Sequence, residues 1–129
     1  SKAAIVRFAE TLSHEVKDFK IDINSVAPGF LPTRLHDEVL KAGPKKVGNN
    51  LFKKTISQLK NCEDSFKKPV ELCEFLASNS SNGITGKLIA AYWDNWGKFK
   101  KNLINLKKSD VFTLRRIIGK DRGLSYLDK

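Results

Sequence analysis

Apolar residues in the first segment recur at helical spacing. Ile5, Phe8, Ala9, Leu12 and Val16 fall on one side, with Arg7, Glu10, His14 and Lys17 on the other. This predicts a helix over residues 3–17. A helix start prefers a capping residue and acidic groups in its first turn, yet Lys2 puts a positive charge at the positive end of the dipole. We therefore expect the helix, and the chain, to continue upstream of Ser1. KIDINSVA, residues 20–27, is rich in β-formers (Ile21, Ile23, Val26), and Pro28-Gly29 ends it abruptly, which predicts a strand. From Phe30 to Lys68 the pattern turns irregular. Helical stretches at residues 33–40 and 51–59 are separated by Ala42-Gly43-Pro44 and Gly48-Asn49-Asn50. An excursion of that length between regular elements reads as a binding loop or lid.

Pro69 suits the first turn of a helix whose predicted apolar face is Val70, Cys73, Leu76 and Ala77, and Asn79-Ser80-Ser81-Asn82-Gly83 stops it. KLIAAY, residues 87–92, is a short apolar run behind Gly86 and predicts a buried strand. Trp93, Trp96, Phe99, Leu103 and Leu106 step by three or four, which predicts a last helix packing its aromatic side. The order helix, strand, excursion, helix, strand joins two strands through a helical crossover, the unit of a doubly wound α/β sheet. The expected fold is α/β: the C-terminal part of a Rossmann-type parallel sheet over residues 1–92, then a basic helical extension over 93–129.

Composition narrows the classes. The 129 residues fit one domain or less. No apolar run approaches the roughly 20 residues of a membrane helix, and no secretory signal pattern is visible, so the expected compartment is the cytoplasm. Cys62 and Cys73 have no matching Cys or His pair nearby and read as reduced structural thiols, and no metal site is expected. Net charge is +10, of which +7 lies from Gly97 onward, and such a balance admits a polyanionic partner. One rival reading is thus a small basic nucleic-acid-binding module. Lys98, Lys100, Lys101, Lys107, Lys108, Arg115 and Arg116 would contact phosphates while Trp93, Trp96 and Phe99 stack bases. The helical stripe of those aromatics speaks against it, because such a stripe reads as core flanked by solvated lysines.

SKAA opening a helix, a strand ending in APGFLPT, and CEFLASNSSNGITGKLI together resemble the C-terminal half of a short-chain dehydrogenase/reductase, over residues 1 to about 92. The tail, with AAYWDNW and DVFTLRRI, is similar to a subgroup of that family associated with bacterial surface-polysaccharide genes. The resemblance implies an oxidoreductase that uses NAD or NADP to move hydride between nicotinamide and a small carbonyl or alcohol substrate. Lys2 matches the lysine of the family's Tyr-x-x-x-Lys pair, implied to lower the phenol's pKa and to reach the cofactor ribose. Pro28, Gly29 and Thr33 match its P-G-x-x-x-T, implied to wrap the nicotinamide, with backbone groups around Leu31 at the carboxamide. His36, Asp37 and the excursion behind them would form the substrate lid, with no individual role assigned.

Without the resemblance, Lys2 reads as a solvated charge, and Pro28-Gly29 with Thr33 as a turn followed by a helix cap. The tyrosine, the glycine-rich phosphate loop and the catalytic serine would all lie before Ser1. The residues in hand are therefore expected to be inactive alone, with an open strand edge and an uncovered apolar surface. The full-length protein is expected to form homo-oligomers, with no membrane or nucleic-acid partner. Where the family has an Asp-Gly-Gly type turn, Asp94-Asn95-Trp96-Gly97 stands here, which puts the usual C-terminal oligomer contacts in question. A noncatalytic partner subunit built on the same fold would share all of this except turnover.

Overall fold

The computed structural model describes residues 1–60, 62, 64–124 and 126. In chain order the helices and strands are α1 (Lys2–Glu15), β1 (Ser25–Ala27), α2 (Arg34–Ala42), α3 (Pro44–Val47), α4 (Asn49–Lys60), α5 (Lys67–Ala77), β2 (Leu88–Ala90) and α6 (Leu103–Lys108). β1 and β2 pair as a two-stranded sheet. Ser25 N–H donates to Lys87 O and Ala91 N–H to Ala27 O, so both partners advance together and the pair is parallel. The protein is therefore α/β-like and mostly helical, and among the described residues four helices lie in the crossover between two strands. The chain divides into two compact units. The first holds Ser1–Ser25, Gly83–Leu88 and Lys101–Lys129, the second Val26–Asn82 and Ile89–Lys100.

In the first unit, α1 forms where the periodicity places it, but the side it covers is rotated from the expected one. Ile5 is 60% and Phe8 66% exposed, whereas Ser13 is 1% exposed. The cause is Gly86: a methyl there would meet Ser13 Oγ at 2.7 Å, so α1 lies on a glycine with its small polar residue inward. After α1 a 3-10 turn over Lys17–Phe19 ends at Lys20, whose left-handed backbone (φ 57°) reverses the chain.

The first strand is thus shorter than the expected 20–27, and polar side chains replace ladder bonds ahead of it. Asp22 Oδ2 accepts from Gly83 N–H (2.7 Å), Ile23 N–H donates to Thr85 Oγ1 (2.9 Å), and Asn24 pairs with Ile84 O (2.6 Å) and Lys87 N–H (3.1 Å). Leu88 N–H donates to Phe112 O (2.7 Å), so the tail engages β2. Further on, Arg115 grips Asp121 through two hydrogen bonds of 2.6 and 2.7 Å, and Asp121 also accepts from Ile118 N–H (2.8 Å). These bonds hold the Asp121 carboxyl well below the usual carboxylate range.

In the second unit, α2, α3 and α4 pack on one another. α5 begins two residues before Pro69, as a first-turn proline permits. Its covered residues are Pro69 and Leu72, with Phe75 and Leu76 half-buried; Val70 is 51% exposed and Cys73 is exposed. The covered face is displaced by one residue from the expected one, onto Pro69, Leu72 and Leu76, which recur at i, i+3 and i+7. The Ser81 hydroxyl donates to Leu76 O (2.8 Å) and Ser78 O (3.0 Å), which closes the helix end at the stop.

Along β2 and its two flanking residues, Lys87, Ile89 and Ala91 are buried while Leu88 and Ala90 are half-buried, an alternation in place of the expected fully buried run. The predicted long aromatic helix is broken into 3-10 turns at Trp96–Lys98 and Lys100–Asn102 before α6. Trp96 Nε1–H donates to Ala91 O (3.1 Å) and Phe99 is buried, but Trp93 is 78% exposed. Positions 61 and 63 of the excursion, and 125 and 127–129 of the tail, lie outside the described residues. Among the described residues no helix is long and apolar enough to cross a membrane.

Candidate functional site

Pro28-Gly29 follows β1 directly, and Gly29 takes φ 83°, a backbone conformation that side chains disfavour. A second requirement comes from across the unit. A Cβ on Gly29 would lie 2.9 Å from Cδ2 of Tyr92, which follows β2 by two residues. The Tyr92 ring is packed on the turn, and its hydroxyl donates to Ser65 O (2.9 Å) and Asp64 O (3.2 Å) at the far end of the excursion. One side chain therefore ties the turn after β1, the residue pair before α5 and the end of β2.

Around this tie lies a cleft of about 430 Å3, lined by Gly29 and Phe30 after β1, Tyr92 and Trp93 after β2, and Ser57, Gln58, Asp64 and Ser65 of the excursion. That volume is within the range of small-molecule pockets. Its wall is aromatic, with Tyr92 and Trp93 ring centroids 6.4 Å apart, and its polar groups are a carboxylate, an amide and hydroxyls. Ser65 Oγ is buried and has no hydrogen-bond partner among the described residues. The position also matters, because ligands of parallel α/β sheets sit beyond the carboxyl ends of the strands.

Of the five residues expected at a cofactor site, Gly29 lines this cleft. Pro28 and Leu31 are half-buried in the same unit without lining it. Thr33 is the N-cap of α2. Its N–H donates to His36 Nδ1 (3.1 Å), its hydroxyl lies 3.0 Å from the same nitrogen, and its carbonyl accepts from His36 N–H (2.9 Å). A backbone N–H can only donate, so Nδ1 is the bare nitrogen of that ring. The His36 ring also sits edge-on to Phe30 at 4.6 Å between centroids. Thr33 and His36 thus have the capping role that the local pattern suggested, and the hydroxyl is already engaged. Asp37 is exposed in the first turn of α2, where a carboxylate suits the dipole. Lys2 is exposed in the first turn of α1, in the other unit.

A dinucleotide has a flat nicotinamide end, cationic when oxidised and neutral when reduced, and a doubly anionic pyrophosphate. The cleft residues fit the first: two aromatic faces, a side-chain-free backbone at Gly29, and amide and hydroxyl groups for a carboxamide. They do not fit the second, since among the described residues Asp64 is the one charged group in the lining. Tyr92, Trp93 and Asp64 were not singled out in the sequence for this site. Adjacent aromatics directly behind the second strand were the available signal, by the rule that placed Pro28-Gly29 there. Among the described residues no group of three His, Cys, Asp or Glu side chains could hold a metal ion. No protein-family model, no curated protein and no solved structure matches the chain.

Proposed function

We propose that this chain is the C-terminal portion of an NAD(P)-dependent oxidoreductase built on a doubly wound sheet, and that the cleft behind β1 and β2 receives the nicotinamide end of the cofactor. The observation that carries the reading is the placement of one small-molecule-sized cleft at the carboxyl ends of two parallel strands, floored by Gly29 and walled by Tyr92 and Trp93. When bound, the cofactor supplies the hydride that passes to or from a carbonyl or alcohol carbon.

The chain's own residues orient and shield. Gly29 lets a flat ring approach the backbone, while Tyr92 and Trp93 exclude water from its face. Gln58 and the Ser57 and Ser65 hydroxyls offer hydrogen bonds to a carboxamide or to the substrate oxygen. Lys2 keeps, as part of the proposal, its role beside a catalytic phenol. The Thr33 hydroxyl serves α2 rather than the cofactor.

The test is a titration with NADH and with NADPH, exciting tryptophan and reading sensitised nicotinamide emission. Saturable emission that disappears in Trp93→Phe and survives in Trp96→Phe supports the reading. Absence of saturable emission with either dinucleotide, or emission unchanged by Trp93→Phe, sinks it. One observation favours the nucleic-acid rival, the exposure of Trp93. It stands alone, since Phe99 is buried and Trp96 packs against Phe75 at 5.6 Å with Lys68 Nζ 5.8 Å from its centroid.

A further inference from the structure

The first unit contains a cavity of about 420 Å3 between α1, the segment 83–87, α6 and the residues that follow it. Its lining carries the ammonium groups of Lys87, Lys107 and Lys108. Lys107 Nζ sits over Gly83, 2.5 Å from where a Cβ would be, and among the described residues neither Lys107 nor Lys108 has an ion pair. Lys87 is 8% exposed and donates to Ser109 O (3.1 Å) and Val111 O (3.0 Å), which occupies two of its three N–H bonds. Burial pushes its pKa down, with Asp110 and Glu10 pulling the other way.

The same cavity is lined by a carboxylate oxygen that is ion-paired but, among the described residues, not hydrogen-bonded. Glu10 Oε2 is buried and forms an ion pair with Arg7 Nη1 at 3.0 Å, yet no hydrogen bond reaches it among the described residues. Such a group calls for a donor, because an unmet buried acceptor is costly. Surplus ammoniums call for an oxyanion. Among the described residues the lining holds lysines and no arginine fork, which suits a compact tetrahedral anion met by point charges better than a planar carboxylate. A fully ionised anion would face Glu10 and Asp110 with no proton to offer, whereas a protonated phosphate satisfies both sides.

We propose that this cavity binds a phosphate group that keeps one proton, as hydrogen phosphate or a phosphate monoester, with Lys107 and Lys87 donating to its oxygens and Glu10 Oε2 accepting its P–O–H. The site shares no residue with the nicotinamide cleft and stands independently of it.

The test is a titration of the full chain with inorganic phosphate and, separately, with sulfate, reading backbone amide shifts at constant ionic strength. It is run near neutral pH, where inorganic phosphate keeps at least one proton and sulfate keeps none. Saturable shifts at Gly83, Thr85 and Gly86 are expected, with phosphate about tenfold tighter than sulfate, the worth of one charge-assisted hydrogen bond. Lys107→Gln should weaken phosphate at least about tenfold, Lys101→Gln outside the cavity should leave it unchanged, and Glu10→Gln should erase the preference over sulfate. Equal affinity for phosphate and sulfate in the unaltered chain overturns the proposal. So does equal weakening by Lys101→Gln and Lys107→Gln, or displacement of phosphate by a random oligonucleotide, since both report diffuse surface charge.

Discussion

Gly29 is the position where the turn, the cleft and the crossover meet, and replacing it with alanine separates two physical effects. The first is backbone: φ is 83°, and holding an L-residue in left-handed geometry costs about 1–2 kcal/mol. The second is contact: the new Cβ would lie 2.9 Å from Tyr92 Cδ2, so the ring must move. Moving it breaks the hydroxyl's hold on Ser65 O at 2.9 Å, worth about 1 kcal/mol. Together these give about 2–3 kcal/mol, at 1.4 kcal/mol per factor of ten.

The assay is amide hydrogen exchange at Ala91, whose N–H donates to Ala27 O beside the turn and reports local opening. Gly29→Ala should lower its protection about 30- to 150-fold. In a Tyr92→Ala background only the backbone cost remains, about 5- to 30-fold, so the cycle should show a coupling near 1 kcal/mol. Identical factors in the two backgrounds would mean that the ring does not rest on the turn, and the geometry of the cleft would fall with it.

Other consequences are more local. His36→Ala removes the acceptor of Thr33 N–H and should cost the start of α2 about 1 kcal/mol, read as faster exchange in its first turn, with Thr33→Ser nearly silent. Lys87→Met should destabilise the first unit by about 1–3 kcal/mol, because it leaves Ser109 O and Val111 O without their donor; the urea midpoint measures it. Burial lowers the pKa of Lys87 in the folded chain, so near its ordinary value of 10.5 the unfolded state binds more protons. Stability from this group therefore rises as pH climbs toward 10.5, and Lys87→Met should flatten that rise.

Much of the element order was legible in the sequence, because periodicity and punctuation are local. α1, α2, α4 and α5 stand close to where apolar spacing and Gly, Pro and Asn boundaries put them. What periodicity did not reveal is which side of a helix finds a neighbour. α1 turns Ser13 inward because a glycine, far along the chain, opens room for it. β1 is short because Asp22, Asn24 and Thr85 satisfy backbone groups through side chains, and a strand pattern of alternating isoleucines carries no sign of that. The break in the aromatic tail has the same origin, since Trp96 turns back to the carbonyl of Ala91 and leaves Trp93 outside.

At the site, Pro28-Gly29 was legible as a turn and its left-handed glycine follows from that. Its partner Tyr92 was not, because the contact joins the ends of two different strands. Thr33 shows the opposite case, a residue whose family resemblance points to a cofactor and whose local hydrogen bonds make a helix cap.

The central claim, that the cleft behind the two strands receives a nicotinamide, is tested most directly by saturating the Tyr92 and Trp93 ring protons and detecting which protons of NADH receive the magnetisation. The account predicts transfer to the nicotinamide protons, strongest at the reactive ring carbon and lost in Gly29→Val. Transfer confined to the adenine, or transfer that Gly29→Val leaves intact, would contradict it.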